Sequence, residues 1–329
     1  MNSNRTNSNP MNFPGSHPLV SIVRPSFNQA RFLEETLRSV ELQRYRPIQQ
    51  IVIDGGSTDG SVELLDRWSA ASHGPGYSIE WISERDRGHA DALNKGFGRA
   101  RGEIVGWLNS DDVYFDREVI STSAAALAAH SGVDVVHGDV AMISEDSGLQ
   151  MIWCFPAFNY SRALRAYIIP QPTVFMRRAV TDKHRLEPNL RVAIDHIYWL
   201  EIGREHRFLK INRVQAGDRD HGARISQVSN ASLMETGRKM CQAYGAPAKA
   251  SAMARLEDSA WKAAMRAEGF FRAAAFVLRG GSRRKNLAFP LWLDSPAQLG
   301  LRQLSMRIHP RAELGPRPES ATTHSYANG

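Results

Sequence analysis

The most restrictive feature of this chain is the regular alternation of short apolar runs with amphipathic segments between residues 19 and 138. Leu19–Val23, Ile51–Ile53, SIEWIS at 78–83, EIVGWLN at 103–109 and VDVVHG at 133–138 read as strands. Between the first two, residues 30–42 place Phe32, Leu33, Leu37, Val40 and Leu42 mostly on one helical face, and further helices are predicted near 60–71, 88–100 and 117–130. Strands alternating with helices of this length form βαβ units, so the expected core is a mostly parallel sheet covered on both faces. Ligands of such sheets bind beyond the carboxyl ends of the strands.

That rim is acidic. Asp54 follows the second strand, Glu84 and Asp86 the third, and Asp111 and Asp112 the fourth. Any one of these is ordinarily a turn or helix-cap residue. Together on one rim they form a candidate site for a divalent cation. The stretch VGWLNSDDVYFD at 105–116 is the most demanding, because adjacent carboxylates repel and burying either without a partner costs several kcal/mol or more. A positive charge must sit between them, or they must face water. Neither GxxxxGK[ST] nor a GxGxxG after the first strand is present. A nucleotide here would be held through a carboxylate-bound Mg²⁺ or Mn²⁺ that grips its diphosphate.

In order along the chain, LVSIVRPSFNQARFLEETLRSV, IVIDGGSTDGSVELL, ISERDRGHADALNKGF and GEIVGWLNSDD resemble the inverting glycosyltransferases of family 2 over roughly residues 18–225. The resemblance implies a GT-A fold: Rossmann-like α/β, with a mostly parallel central sheet and helices on both faces. It also implies transfer of a sugar from a nucleotide-diphospho-sugar to a hydroxyl of a glycan or lipid-linked acceptor, in surface polysaccharide or glycolipid synthesis. NSDD matches the family's DxD variant, so Asp112 is the expected ligand of Mn²⁺ or Mg²⁺ and Asp111 lies near the donor ribose. By the same match Asp54 receives the base, Pro25 lies in a loop against the nucleotide, and Asp86 stands by the diphospho-sugar. Asn94 and Lys95 support that loop.

IPQPTVFMRR at 169–178 resembles the segment before the family's acceptor helix, with Gln171 and Pro172 near the site. VAIDHIYWLEIG at 192–203 resembles its D-x-x-x-W helix, which makes Asp195 the candidate base. GDRDHGARISQ at 217–227 resembles the R-x-H segment, implying His221 on the metal and Arg219 or Arg224 on phosphate. His89 stands where relatives often have Gln, and Arg24 where they often have Thr. Both differences touch the expected donor loop and leave the sugar and nucleotide (UDP, GDP or dTDP) open.

Composition adds bounds. Hydrophobic residues make up 42 % of the 329 positions and charged residues 23 %, as in ordinary globular proteins. Cys154 and Cys241 have no CxxC or His pattern around them, which suits a reducing cytoplasm. The net charge of +7 is uneven: Lys and Arg against Asp and Glu number 26 to 27 before residue 231 and 15 to 7 from there on. Without a nucleic-acid motif in that tail, no nucleic-acid partner is expected. Four segments follow: a disordered leader at 1–17, the glycosyltransferase domain at 18–230 (donor half 18–115, acceptor half 116–230), a basic helical region at 231–309 and a disordered tail at 310–329.

In the helical region Met253, Leu256, Ala260, Ala264, Ala267, Phe271, Ala274 and Leu278 recur at helical spacing. Such a helix packs on the catalytic domain or on a second copy, which makes a homodimer one expectation. The other is a peripheral anchor on the inner face of the plasma membrane, with Arg283, Arg284 and Lys285 on anionic lipid and Phe289, Leu291 and Trp292 in the interface. The competing functional reading is a catalytically degenerate protein of the same fold that binds nucleotide or docks partners. A nucleotidyltransferase lacks support, since no Gly-rich loop with a basic residue follows the first strand.

Overall fold

A computed structural model describes residues 17–222, 231–247, 250–278 and 313–314. The alternation in the sequence becomes β1 (Val20–Ser26), α1 (Ala30–Glu41), β2 (Ile48–Asp54), α2 (Ser61–Ala70), β3 (Tyr77–Ser83), α3 (His89–Arg99) and β4 (Ile104–Trp107). These four strands are parallel, in the order β4-β1-β2-β3. The helices form where the apolar spacing predicts them. On α1 the buried residues are Phe32, Leu33, Thr36, Leu37, Ser39 and Val40, one stripe of the helix.

The second half departs from simple alternation. After β5 (Val113–Tyr114) and α4 (Val119–Ala129) come β6 (Val135–Ile143), β7 (Leu149–Trp153), α5 (Tyr160–Ala163), a 3₁₀ turn at Gln171–Thr173 and β8 (Phe175–Arg177). Then follow α6 (Arg178–Lys183), α7 (Ile194–Ile202) and β9 (Phe208–Arg219). β8 inserts antiparallel between β4 and β6, β9 runs parallel to β6, and β5 and β7 add antiparallel pairings. The sheet is thus parallel in its first half along the chain and mixed in its second. A core of Phe97, Trp107, Tyr198 and Trp199 joins α3, β4 and α7 across one face, with Phe97 stacked on Tyr198 at 6.2 Å. It sets where Asp195 can stand.

Two C-terminal helices, α8 (Ala231–Ala243) and α9 (Ala252–Leu278), follow, and a short strand β10 (Glu313–Leu314) pairs with β9. The predicted apolar stripe of α9 is not its packed face. Met253, Leu256, Phe271 and Leu278 are exposed, and the inward side carries Asp258, Arg272 and Ala273. Asp258 takes two hydrogen bonds from Arg165, and Arg272 donates to the buried Asp139 at 2.7 Å. Polar anchors, which hydrophobic periodicity does not register, set the rotation of this helix. A Cβ on Gly269 would stand 1.9 Å from the carbonyl oxygen of Ile152, so α9 reaches β7 backbone to backbone. Of the two readings of the tail, the described residues follow packing on the catalytic domain. The basic and apolar cluster at 283–292 lies outside them, as do Arg224 and the leader at 1–16. Among the described residues no helix is long and apolar enough to cross a membrane.

Candidate active site

The first strand runs three residues further than its apolar run implies, through Pro25 to Ser26, so Pro25 lies in β1 and not in a loop. Its neighbour β4 has ended by then: pairing stops at Val23 with Trp107, and the Val23 carbonyl accepts from Leu108. The proline's missing N–H therefore breaks no ladder bond. Its carbonyl accepts the Ser110 hydroxyl at 2.9 Å, which ties the root of the Asp111–Asp112 turn to the end of β1.

Asp54 closes β2 and is fully buried. One oxygen accepts the Gly56 and Ser57 amides and the Ser83 hydroxyl, and the other accepts the Ser57 hydroxyl at 2.5 Å. Asp86 takes the Gly88 amide at 2.8 Å and leans over Gly55, where a Cβ would lie 2.8 Å from its second oxygen. Only glycine leaves Asp86 room to approach the end of β2. Phe27, 59 % exposed, flanks the same spot.

The NSDD turn rests on β9. Asp112, nearly buried, accepts the Arg219 backbone amide at 3.1 Å, and Asp111 meets His221 Nε2 at 2.9 Å. The positive charge that an acid pair requires comes partly from below. Arg24 is fully buried, donates to Gln50 and to the Thr36 carbonyl, and lies within electrostatic reach of Asp112 and Asp111. Burial lowers its pKa to about 10 against the pull of those anions, which leaves it charged at neutral pH. Two expectations change here. Arg24 cannot touch a donor, because it points into the protein. Nor is the Arg219 guanidinium offered to phosphate: it binds Glu35 at 2.7 Å, Ser147 at 2.8 Å and the carbonyls of Asp111, Ser144 and Glu145, over the ring of Phe32. A fully buried fork so engaged braces the acidic turn.

Asp195 lies in the first turn of α7, after Ala193 in the left-handed region at φ 50°. It does not cap the helix. One oxygen takes the Tyr167 hydroxyl at 2.8 Å, the other the His196 amide at 2.8 Å. Burial of the Tyr167 hydroxyl and the charge on Asp195 push that phenol well above its ordinary range, so it remains a donor. The same oxygen accepts the Gln171 amide, while the Gln171 side chain bonds Asn109 and the Trp107 carbonyl. A continuous chain of hydrogen bonds thus links Asp195 to the NSDD turn. His89, at the head of α3, feels Asp111, Asp195 and Asp86 at once; burial nonetheless lowers its pKa, which keeps it neutral. Three of the acids thus act electrostatically on one histidine.

Residues 21–183 match the model of glycosyl transferase family 2. The chain belongs to glycosyltransferase family 2. It is 38 % identical over 124 residues to an uncharacterized glycosyltransferase of Mycobacterium tuberculosis, covering 37 % of this chain and 45 % of that protein. It is 28 % identical over 186 residues to the Bacillus subtilis teichuronic acid biosynthesis glycosyltransferase TuaG, covering 56 % and 72 %. A PGL/p-HBAD biosynthesis glycosyltransferase of Mycobacterium bovis is 31 % identical over 163 residues, covering 50 % and 60 %. The chain therefore spans about half the length of the first of these relatives, 45 %. In three dimensions it resembles S. aureus TarS in complex with UDP-GlcNAc, with a TM-score of 0.52 at 16 % identity over 67 % of this chain and 65 % of that one. That likeness is one of fold, a GT-A sheet.

Several residues of this candidate site escaped the sequence reading. Tyr167 has no motif of its own, and only its place four residues before Gln171 hints at a role. Phe27 could have been found as an aromatic just past a strand end on the ligand rim. Glu35 and Ser147, which hold Arg219, come from α1 and from the β6–β7 turn, and no spacing rule connects them. Asn94 bonds both backbone groups of Leu186, stitching α3 to the segment between α6 and α7, while Lys95 pairs with Glu84 and Asp91 at the surface. Hard carboxylate oxygens with one imidazole form a donor set that suits Mg²⁺ or Mn²⁺.

Proposed function

We propose that this chain is a metal-dependent, inverting hexosyltransferase that uses a nucleotide-diphospho-sugar to glycosylate a hydroxyl of a glycan or lipid-linked acceptor. The observation that carries the reading is the hydrogen-bond chain from Asp195 through Tyr167 and Gln171 to Asn109 of the NSDD turn, with Asp86, Asp111 and Asp195 all acting electrostatically on His89. Asp54 and Phe27 would receive the base and ribose end of the donor. Asp112 and His221 would hold Mn²⁺ or Mg²⁺, which when bound neutralises charge on the departing diphosphate, and Asp111 would lie near the donor ribose. Asp86 would lie along the diphospho-sugar.

Asp195 would take the proton of the acceptor hydroxyl as that oxygen bonds to the anomeric carbon and the carbon–diphosphate oxygen bond breaks on the opposite face. Tyr167 fixes the direction in which Asp195 points. Names of relatives such as teichuronic acid and PGL biosynthesis support a surface polysaccharide or glycolipid as the acceptor class. Action at the inner face of the plasma membrane follows from such acceptors.

Titration calorimetry with UDP, GDP and dTDP, each with and without Mn²⁺, tests the reading alongside Asp112→Ala. Metal-dependent binding of one nucleotide, lost in the variant, is expected and names the donor class. A folded wild type that binds none of the three in either condition overturns it.

A further inference from the structure

At the opposite end of the sheet from the acidic rim, two histidines face each other. His184 follows α6 and is buried, and its carbonyl accepts the Tyr198 hydroxyl at 3.2 Å. His206 follows α7, with its amide bonded to the Ile202 carbonyl at 2.9 Å. Their Nε2 atoms are 3.1 Å apart with the rings nearly perpendicular, and Glu205 Oε2 lies 3.7 Å from His184 Nε2. One ligand atom from each of His184, Glu205 and His206 falls within 4.8 Å of the others. Asp134, just before β6, accepts from His206 Nδ1 at 3.1 Å and is itself held by the Arg207 amide.

The proton positions make this arrangement uneasy without a cation. Asp134 holds the proton on His206 Nδ1, so His206 Nε2 presents a lone pair to His184. If His184 answers with its Nε2 proton, its bare Nδ1 faces the Glu201 carboxylate at 3.9 Å. With the proton on Nδ1 instead, two lone pairs meet at 3.1 Å. A metal ion accepts both lone pairs. Two imidazoles at Zn–N distances of about 2.0–2.1 Å and tetrahedral angles stand roughly 3.3 Å apart, close to what is seen. Asp134 then supplies the carboxylate that typically orients a metal-bound histidine.

We propose that His184, His206 and Glu205 form a site for Zn²⁺ or a similar borderline divalent ion, with Asp134 orienting His206. Nitrogen donors separate this site from the oxygen-rich donor rim, which suits Mg²⁺ or Mn²⁺. Lys183, which now pairs with Glu205, is exposed and can swing away. The ion would clamp the ends of α6 and α7 to the start of β6. It thereby fixes the far end of the helix whose first turn carries Asp195.

The full chain, stripped with a chelator, is titrated with CoCl₂ followed by visible d–d absorption, and with ZnCl₂ followed by Tm, with MgCl₂ as control. The expected result is one Co²⁺ per chain displaced by Zn²⁺, a rise in Tm with Zn²⁺ but not Mg²⁺, and loss of both signals in His206→Gln. Asp112→Asn, altered only at the acidic rim, retains them. Glu205→Gln, an exposed change that leaves the fold intact, weakens Zn²⁺ binding about tenfold or more. Absence of a Co²⁺ signal in the wild type, or Zn²⁺ affinity unchanged in Glu205→Gln, overturns the proposal.

Discussion

Asp54 and Asp139 are both fully buried carboxylates, yet they are satisfied in opposite ways. Asp54, at the end of β2, is held by neutral donors: two backbone amides and two serine hydroxyls. Asp139, in the middle of β6, is clamped by two buried cations, Lys210 and Arg272, each at 2.7 Å, and by the Phe155 amide at 2.9 Å. The first arrangement leaves a negative charge on the rim, where a ligand can complete it. In the second, with Glu268 also paired to Arg272, two anions balance two cations, and the cluster binds α9 to the sheet. Charge left over marks the site, and charge cancelled marks the scaffold.

The strongest break of this contrast is Asp139→Ala. It strands Lys210 in the interior and leaves Arg272 to Glu268, so a loss of about 3–5 kcal/mol in urea unfolding is expected. Nucleotide affinity of the protein that remains folded should not change. A loss under about 1 kcal/mol would mean that water reaches the pair and that Asp139 resembles Asp54 after all.

The complementary change is Asp112→Asn. The amide keeps an oxygen for the Arg219 N–H, so the melting curve should move little. Turnover of donor should fall on the order of 10²–10³-fold, as when one group that stabilises transition-state charge is removed. Equal losses of stability and turnover would place Asp112 with the scaffold.

The same contrast explains what could be read in advance. The parallel strands, their helices and the acidic rim were legible because each is local: apolar period for the elements, and the strand-end rule for the site. The fates of Arg24 and Arg219 were not. Both are arginines next to donor-loop residues in sequence, and only the packing of α1 and β9 shows that they point inward to Gln50 and Glu35. The face of α9 was misread for a related reason. Its buried side is set by the Arg272–Asp139 and Asp258–Arg165 pairs, whose partners lie 133 and 93 positions away. Periodicity counts only the apolar residues, and here most of them face outward.

Asp54→Asn sharpens the comparison further. An amide in that pocket turns one donor toward amides and hydroxyls that are themselves donating, leaving a buried mismatch worth about 1–3 kcal/mol. The stability loss should therefore be smaller than for Asp139→Ala, and the Kd for nucleotide should rise. A variant that loses stability but binds nucleotide as before would remove Asp54 from the donor site.

The smallest expected effect concerns His137, which adjoins the cancelled cluster. It is fully buried, and neither ring nitrogen has a hydrogen-bond partner among the described residues. Burial, and then the Lys210 charge, lower its pKa well below 6.5. In the unfolded chain His137 takes up a proton below about pH 6.5, and in the folded chain it does not. The unfolded state thus binds more protons in that window, so stability rises with pH up to about 6.5 and is flat above it. Going from pH 7.5 to 5.5 should cost about 1.4 kcal/mol for this one histidine. Urea midpoints at both pH values, for the wild type and His137→Leu, isolate its share. If the two proteins lose equal stability on acidification, His137 accepts its proton in the folded state, and the cation cluster beside it is not closed to water.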